Sequence, residues 1–345
     1  MDQWYLDNLV CPVDKLPLEY KDGMLISLSG RKYPVIDGVP VMLVDDAEQT
    51  MPLVKASLER AKNNPDYIDI RAKDLYLESL GISEEEKEDV VRLAVNKDLK
   101  IDPVVSFIIG ATSGYAYKDL IGNVNEYPIT ELRLPNGDNK LFLDVGCNWG
   151  RWSIAASRKG YAVIGLDPSL GAIMAAKRVA NQLGLPIRYI VGDARYLPFR
   201  SSLFDQIFSY SVLQHFSKDD AVKAFQEIGR TLKTGGTSLV QMPNWLGIRS
   251  LQHQIKRGFR EPAVFDVRYW SLGRLNEAFQ KAIGDTTVTV DCYFGIGLQK
   301  SDMKYMSKKV KLIITLSEIL RKASAVLLPL KYVADSVYLS SQRTV

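Results

Sequence analysis

Five short apolar runs, LFLDVG, AVIGLD, RYIVGD, DQIFSYS and TSLVQM, recur between Leu141 and Pro243, with helical patterns such as SLGAIMAAKRVANQLG and DDAVKAFQEIGRTLK among them. Apolar runs of this length suit strands buried on both faces, and their alternation with helices calls for parallel strands joined by crossover helices. The expected fold class is α/β, a doubly wound sheet with helices on both faces, whose ligands sit beyond the carboxyl ends of the strands at the switch point. Three of the runs end in an acid, Asp144, Asp167 and Asp193. Burying carboxylates at strand ends is costly unless a ligand or loop amides pair with them, so their regular placement points to a ligand.

The first run leads into Gly146-Cys147-Asn148-Trp149-Gly150-Arg151-Trp152. A dinucleotide loop would read G-x-G-x-x-G, with an acid roughly 20 residues further on to hold the ribose. Asp167 satisfies the second requirement, but Asn148 stands at the second glycine position and no third glycine follows at the required offset. The close-approach glycines of a pyrophosphate site are therefore missing.

The same stretch resembles motif I of the class I S-adenosylmethionine-dependent methyltransferases, with Asn148, a residue tolerant of left-handed backbone, in place of the middle glycine. The rest of that family's pattern follows in order as VGDARYLPF, FDQIFSYSVLQHF and EIGRTLKTGGTSLVQMP. The resemblance implies a Rossmann-like, mainly parallel sheet of seven strands and S-adenosylmethionine as cofactor, with S-adenosylhomocysteine as product. It further implies that Gly146 and Gly150 bend the loop around the methionine part, that Asp167 binds the ribose hydroxyls and that Asp193 holds the adenine amino group. Asp144, Cys147, Asn148, Trp152, Pro168, Ala194, Arg195, Ser209, Tyr210 and Gln214 complete the implied cofactor contacts.

Transfer of a methyl group to a hydroxyl requires an oriented nucleophile and removal of its proton. His215, just past the fourth run in SVLQHF, is the candidate base, because an imidazole can accept a proton near neutral pH. The alternative is a helix-start histidine beside the cofactor with no proton to move. Candidate acceptor contacts are Tyr115, Tyr117 and Tyr127 before the sheet, and Asn244, Trp245, Arg249, Arg268, Tyr269 and Trp270 after the fifth run, as aromatics on loops over a strand-end pocket form binding walls. The fourth run continues as SYSV and lacks the Asn/Asp-Pro-Pro-Tyr sequence of amino methyltransferases acting on adenine, cytosine or glutamine.

Residues 1–45 hold short apolar runs separated by Gly, Pro and Asp, which suggests a small β-rich module. LVCPVDKLPLEY and YPVIDGVPVML resemble the small zinc-ribbon-like domain that activates several RNA and protein methyltransferases. The zinc-binding forms use paired cysteines, whereas here Cys11 is followed by Asp14 at the second position, and Ser27 and Gly30 fall near the other pair. A tetrahedral site takes four soft or imidazole ligands, so no zinc and no other metal is expected. Residues 46–135 read as a helical connector or lid, in which Ser83 and Glu86 have the spacing of a capping box. Residues 136–300 form the expected methyltransferase domain.

Residues 301–345 are expected to form a basic amphipathic helical extension. From Lys300 onward the chain carries nine Lys/Arg against three Asp/Glu, a larger surplus than the net +4 of the whole chain. Leu312, Leu316, Ile319, Leu320, Ala323 and Leu327 recur there at helical spacing. Such a helix either packs on its own domain or at a homodimer contact, or lies as a peripheral element on an anionic membrane surface.

The three cysteines are far apart in sequence, the N-terminus lacks the order of a signal peptide, and no stretch approaches the ~20 apolar residues of a membrane span. A cytoplasmic protein is expected, with contact at the inner membrane surface as the variant. The expected function is O-methylation of a small molecule, a sugar or glycan, or a lipid-linked acceptor. An RNA methyltransferase is the alternative suggested by the N-terminal module, although weak overall basicity and the lost zinc ligands count against nucleic acid. A non-catalytic, cofactor-binding interaction protein is the third.

Overall fold

In the computed structural model, residues 1–49, 51–63, 75–262 and 265–344 are described. The N-terminal module consists of helix α1 (Gln3–Asn8) and an antiparallel meander of β1 (Leu18–Lys21), β2 (Met24–Ser27), β3 (Lys32–Ile36) and β4 (Val39–Pro40). Next come α2 (Pro52–Asn63), α3 (Glu84–Ala94) and α4 (Pro103–Thr112). The capping box of Ser83 and Glu86 forms at the start of α3, satisfying amide groups that have no partner within the helix.

The main sheet comprises β5 (Leu141–Val145), β6 (Ala162–Asp167), β7 (Arg188–Val191), β8 (Phe204–Ser209), β9 (Leu232–Pro243), β10 (Gly284–Cys292) and β11 (Ser336–Arg343). Between these strands run α5 (Arg151–Arg158), α6 (Leu170–Gln182), α7 (Lys218–Thr231), α8 (Ile248–Lys256), α9 (Leu272–Ala282) and α10 (Lys308–Ala323). The strand order is β10-β11-β9-β8-β5-β6-β7, parallel throughout except for β11, which is antiparallel to both of its neighbours. The α/β class and the mainly parallel seven-stranded sheet follow the expectation from sequence. The switch point lies between β5 and β8, where successive crossovers leave in opposite directions.

One boundary needs correction. The segment from residue 301 is not wholly a helical extension, because β11 inserts between β9 and β10 and is buried over most of its length. The sheet is complete only near residue 343. The strand does not stand out in the sequence because SVYLSSQR carries five polar residues, Ser336, Ser340, Ser341, Gln342 and Arg343, some of which find cross-strand partners, such as Ser341 Oγ with Thr286 Oγ1 at 2.8 Å.

The N-terminal module is docked on the free edge of that sheet. Val41 pairs in parallel with Val191 at the end of β7, the Met42 amide donates to the Val191 carbonyl at 2.7 Å, and the Val10 amide donates to Pro198. Covering an edge strand removes a row of unpaired backbone groups. Tyr5, Leu25 and Met42 enter the same core as Ile190, Leu197 and Phe199, and the Lys15 ammonium reaches the Glu227 carboxylate at 2.7 Å. At the positions where a zinc-binding relative would place thiolates, side chains bond to one another. Cys11 Sγ lies 3.2 Å from the Tyr33 hydroxyl, and the Asp14 carboxylate accepts from the hydroxyls of Ser27 and Ser29. Among the described residues no cluster of three or more His, Cys, Asp or Glu is placed to hold a metal ion.

Candidate active site

A cavity of about 1120 Å³ opens beyond the carboxyl ends of β5, β6 and β7. The turn after β5 builds its floor. Gly146 has φ +76°, and a Cβ there would lie 2.2 Å from Val212 Cγ2, so the chain passes the turn after β8 at a distance only glycine allows. Asn148 has φ +47°, the left-handed conformation anticipated for it, and its Oδ1 accepts from the Trp149 amide at 2.8 Å. Gly150 has φ +85° and starts α5, where a Cβ would meet the Tyr189 hydroxyl at 2.7 Å.

Asp167 ends β6 facing the cavity. Its Oδ2 accepts from the Asn148 amide at 3.0 Å and its Oδ1 from the Ser169 amide at 2.9 Å. These bonds orient the carboxylate but leave lone pairs on both oxygens open to the cavity. Burial pushes its pKa up to about 6, with the two amides opposing the shift. Asp193 also lines the cavity, and its carboxylate is held by the Arg195 amide at 2.8 Å and by the Arg195 guanidinium at 2.7 Å.

The expected cofactor residues divide by location. Gly146, Cys147, Asn148, Trp152, Asp167, Pro168, Asp193, Ala194 and Tyr210 line the cavity, while Asp144, Gly150, Arg195, Ser209 and Gln214 do not. Asp144 turns beneath the loop, where Ser153 Oγ donates to it at 2.6 Å and burial pushes its pKa up to about 7. Its role is to fix the start of α5 under the loop rather than to touch a ligand. Arg195 is turned aside by its pair with Asp193, Ser209 Oγ donates to the Val145 carbonyl across the sheet, and Gln214 Nε2 donates to Ser211 Oγ.

Most of the expected acceptor contacts lie elsewhere, and Arg249 is the member of that group found on the cavity. The Tyr115 side chain lies outside the described residues. Tyr117 is fully buried and donates to Asp302 at 2.6 Å, and the Tyr127 hydroxyl bridges the Asp102 amide and Gln182. The Asn244 amide is tied to the carbonyls of Tyr332 and Ala334, Arg268 to those of His215 and Pro262, and the Tyr269 hydroxyl lies 2.8 Å from His253 Nδ1. Trp270 is in the core against Phe225, and Trp245 is exposed on the outer surface. Tyr117 and Trp270 are drawn into cores away from the cavity, because burying a large ring gains more than leaving it on a wet pocket wall.

His215 lies on the cavity wall, its ring stacked on Phe265 with centroids 4.1 Å apart. Its buried Nδ1 has no hydrogen-bond partner, and burial pushes its pKa down to about 4. The ring is therefore neutral at physiological pH, and the same burial makes it a weaker base than a free imidazole.

The second half of the cavity was not legible from motifs. Met51, Leu53, Leu80, Ile82, Ile108, Ala111, Phe294, Ile296, Leu298, Val310, Ile313 and Leu316 give it an apolar wall. Arg151 locks this wall to the floor, its guanidinium donating to Asp302, to Pro128 at 2.8 Å and to Ser113 at 3.3 Å while lying over the Tyr117 ring. The aliphatic periodicity of these segments signals burial, but nothing in it signals a shared cavity.

The residues present fit a nucleoside-bearing sulfonium. Both oxygens of the cavity-lining Asp167 are anchored by amides, which leaves each with acceptor capacity for vicinal hydroxyls, and the apolar Leu166, Ala172 and Ala194 line the same cavity with Asp193.

This topology and site define a class I S-adenosylmethionine-dependent methyltransferase domain, and a family model described as "Methyltransferase domain" matches residues 142–236. The chain also belongs to the UPF0434 family through its N-terminal region: over 54 residues it is 48% identical to a UPF0434 protein of Burkholderia thailandensis, covering 15% of this chain and 79% of that protein. It is 28% identical over 102 residues to a ubiquinone biosynthesis O-methyltransferase of Azorhizobium caulinodans, a match spanning 30% of this chain and 40% of that enzyme. Among solved structures, a chain of the complex between the Haloferax volcanii Trm112 methyltransferase activator and a methyltransferase aligns at a TM-score of 0.42 and 19% identity, over 61% of this chain and 84% of that one.

Proposed function

We propose that this chain methylates a hydroxyl of an apolar small-molecule or lipid-linked acceptor. The observation that carries the reading is the two-sided cavity, polar around Asp167 and aliphatic under α4 and α10. When bound, S-adenosylmethionine supplies an electrophilic methyl group. Asp167 receives the ribose hydroxyls, and Asp193 limits the adenine end. The apolar wall excludes water and orients the acceptor, so that proximity supplies much of the rate. His215, neutral and with an unpartnered Nδ1, would accept the hydroxyl proton as the acceptor oxygen takes the methyl and the methyl C–S bond breaks, leaving the thioether of S-adenosylhomocysteine. A cavity with so much aliphatic wall suits a lipid-soluble acceptor better than a polyanion, which sets the RNA reading second.

The test is calorimetric titration with S-adenosylhomocysteine, followed by transfer of labelled methyl from S-adenosylmethionine into solvent-extracted lipid, aqueous metabolite and RNA fractions. Label is expected in the lipid or small-molecule fraction; label in RNA, or binding with no label anywhere, would sink the proposal. His215→Ala is expected to lower turnover on the order of 100-fold or more while leaving cofactor affinity unchanged. Unchanged turnover would return His215 to packing.

A further inference from the structure

Helices on the surface of a folded protein normally turn their apolar stripe inward. Two helices beside the cavity also carry apolar side chains outward. In α10 the buried residues are Ile314, Ser317 and Glu318, whereas Leu312, Leu316 and Ile319, spaced by four and three and hence on one face, are 60%, 45% and 57% exposed. In α8 the buried residues are Ser250 and Gln254, with Ile248 and Ile255 outward. α10 is attached through Ile314 and the partly buried Val310 and Leu320, and both helices are attached through polar contacts. Glu318 receives Arg133 at 2.7 Å, Ser317 Oγ accepts the Tyr293 amide at 2.9 Å, and the amides of Arg249 and Ser250 donate to Asp335.

Both helices pack against one turn. The turn at Tyr293–Gly297 lies between them, holding Ser317 of α10 at one end and packing Gly295 near Arg249 of α8 at the other. Trp245 and Leu246 precede α8 and Val326, Leu327 and Leu328 follow α10, all exposed. The apolar surface is continuous with the cavity, since Leu316, Phe265 and Arg249 are exposed and also line it.

Within the segment from Lys300 onward the exposed charge is mainly basic. The three carboxylates from Lys300 onward, Asp302, Glu318 and Asp335, are all buried, whereas Lys308, Lys309, Lys311 and Lys322 are exposed. Exposed aliphatic side chains and exposed lysines on one helix, with the acids of its segment buried, match an anionic bilayer, whose headgroups pair with the lysines while the acyl region takes the aliphatic side chains. No helix among the described residues is long and apolar enough to cross a membrane, so the contact would be one of lying on its surface.

We infer that α8, α10 and the segment after α10 form a docking surface for an anionic membrane, and that the cavity opens toward the bilayer. The inference stands apart from the methyl-transfer reading, and S-adenosylhomocysteine affinity measured on the same variants separates the two.

The experiment is flotation of the full chain with vesicles of phosphatidylglycerol and phosphatidylethanolamine, and with vesicles of phosphatidylcholine alone. Binding is expected to the first and not the second, and to weaken with added salt. Leu312→Asp with Ile319→Asp, and separately Lys308→Glu, Lys309→Glu and Lys311→Glu together, should each reduce binding about tenfold or more. Melting temperature and cofactor affinity should be unchanged, because all five side chains are exposed and off the cavity. Absence of flotation with the anionic vesicles, or equal flotation of wild type and variants, overturns the inference. A dimer in sedimentation velocity that Leu312→Asp dissociates, without lipid binding, assigns the surface to a second copy and also overturns it.

Discussion

The cavity half around β5 and β6 is made of backbone amides and carboxylates from residues 146–194, whereas the half under α4 and α10 is made of aliphatic side chains from five separate stretches between Met51 and Leu316. In the first half the contacts come from turns at adjacent strand ends: the Asn148 and Ser169 amides reach Asp167 because two tight turns lie side by side. In the second half no single stretch makes the wall by itself. The contrast teaches that the cofactor side is preorganised by turn geometry, while the acceptor side depends on the whole molecule being assembled. Arg151 is the join, starting from the local turn and ending on Asp302 in the distal wall.

Breaking that join should give the largest effect. Arg151→Leu leaves the Asp302 carboxylate buried without its cation and is expected to cost about 3–5 kcal/mol in denaturant unfolding. Arg151→Met combined with Asp302→Leu should recover most of that stability. A single variant as stable as wild type would mean that the two halves are not coupled through this pair.

Asp167→Ala removes the acceptor for both expected hydroxyls and should weaken S-adenosylhomocysteine binding about 100-fold or more in calorimetry, with little effect on binding of an apolar probe in the other half. Wild-type affinity would displace the cofactor from this half.

The same carboxylate sets a pH dependence. Burial raises Asp144 to about 7 and Asp167 to about 6, above the ordinary aspartate value, so the folded ligand-free protein holds protons that the unfolded chain releases. Its stability is full below about pH 4 as far as these groups are concerned, and falls as pH rises toward 7. Cofactor affinity should run the other way, rising about tenfold between pH 5 and 7 as Asp167 ionises, with a plateau above. A flat profile in Asp167→Asn would assign the dependence to this residue; an unaltered slope would remove it.

The smallest expected effect concerns the loop itself. Asn148→Gly keeps the left-handed conformation open and should bind nearly as wild type, whereas Asn148→Val forces a β-branched residue to φ +47° and should lose several-fold in affinity, about 1–2 kcal/mol. Equal behaviour of the two would show that the turn relaxes without cost.

Much of the sheet was readable in the chain because buried parallel strands announce themselves as uninterrupted apolar runs, and Asp167 and Asn148 were readable because tight turns restrict residue type locally. Strand β11 was not, since its alternation is diluted by Ser and Gln that pair across the sheet. The α10 stripe was seen but not its direction. Leu312, Leu316 and Ile319 form a helical face in the sequence, and periodicity carries no sign that tells inward from outward. The expected aromatic contacts were placed on the cavity by proximity to motifs, whereas Tyr117 and Trp270 were drawn into cores where their rings lose more water.

The amino-acid sequence by itself determined the alternation of strands and helices, the bent loop after the first strand of the sheet and the acids at its edge, because these depend on contacts within a few residues or on runs long enough to average out exceptions. Only the tertiary structure decided which side chains meet in the apolar half of the cavity, that Asp144 supports rather than lines the site, and that two helices present aliphatic faces outward. Each of those outcomes depends on polar partners far away in the chain, such as Arg133 for Glu318 and Asp302 for Arg151, whose pairing no local pattern records.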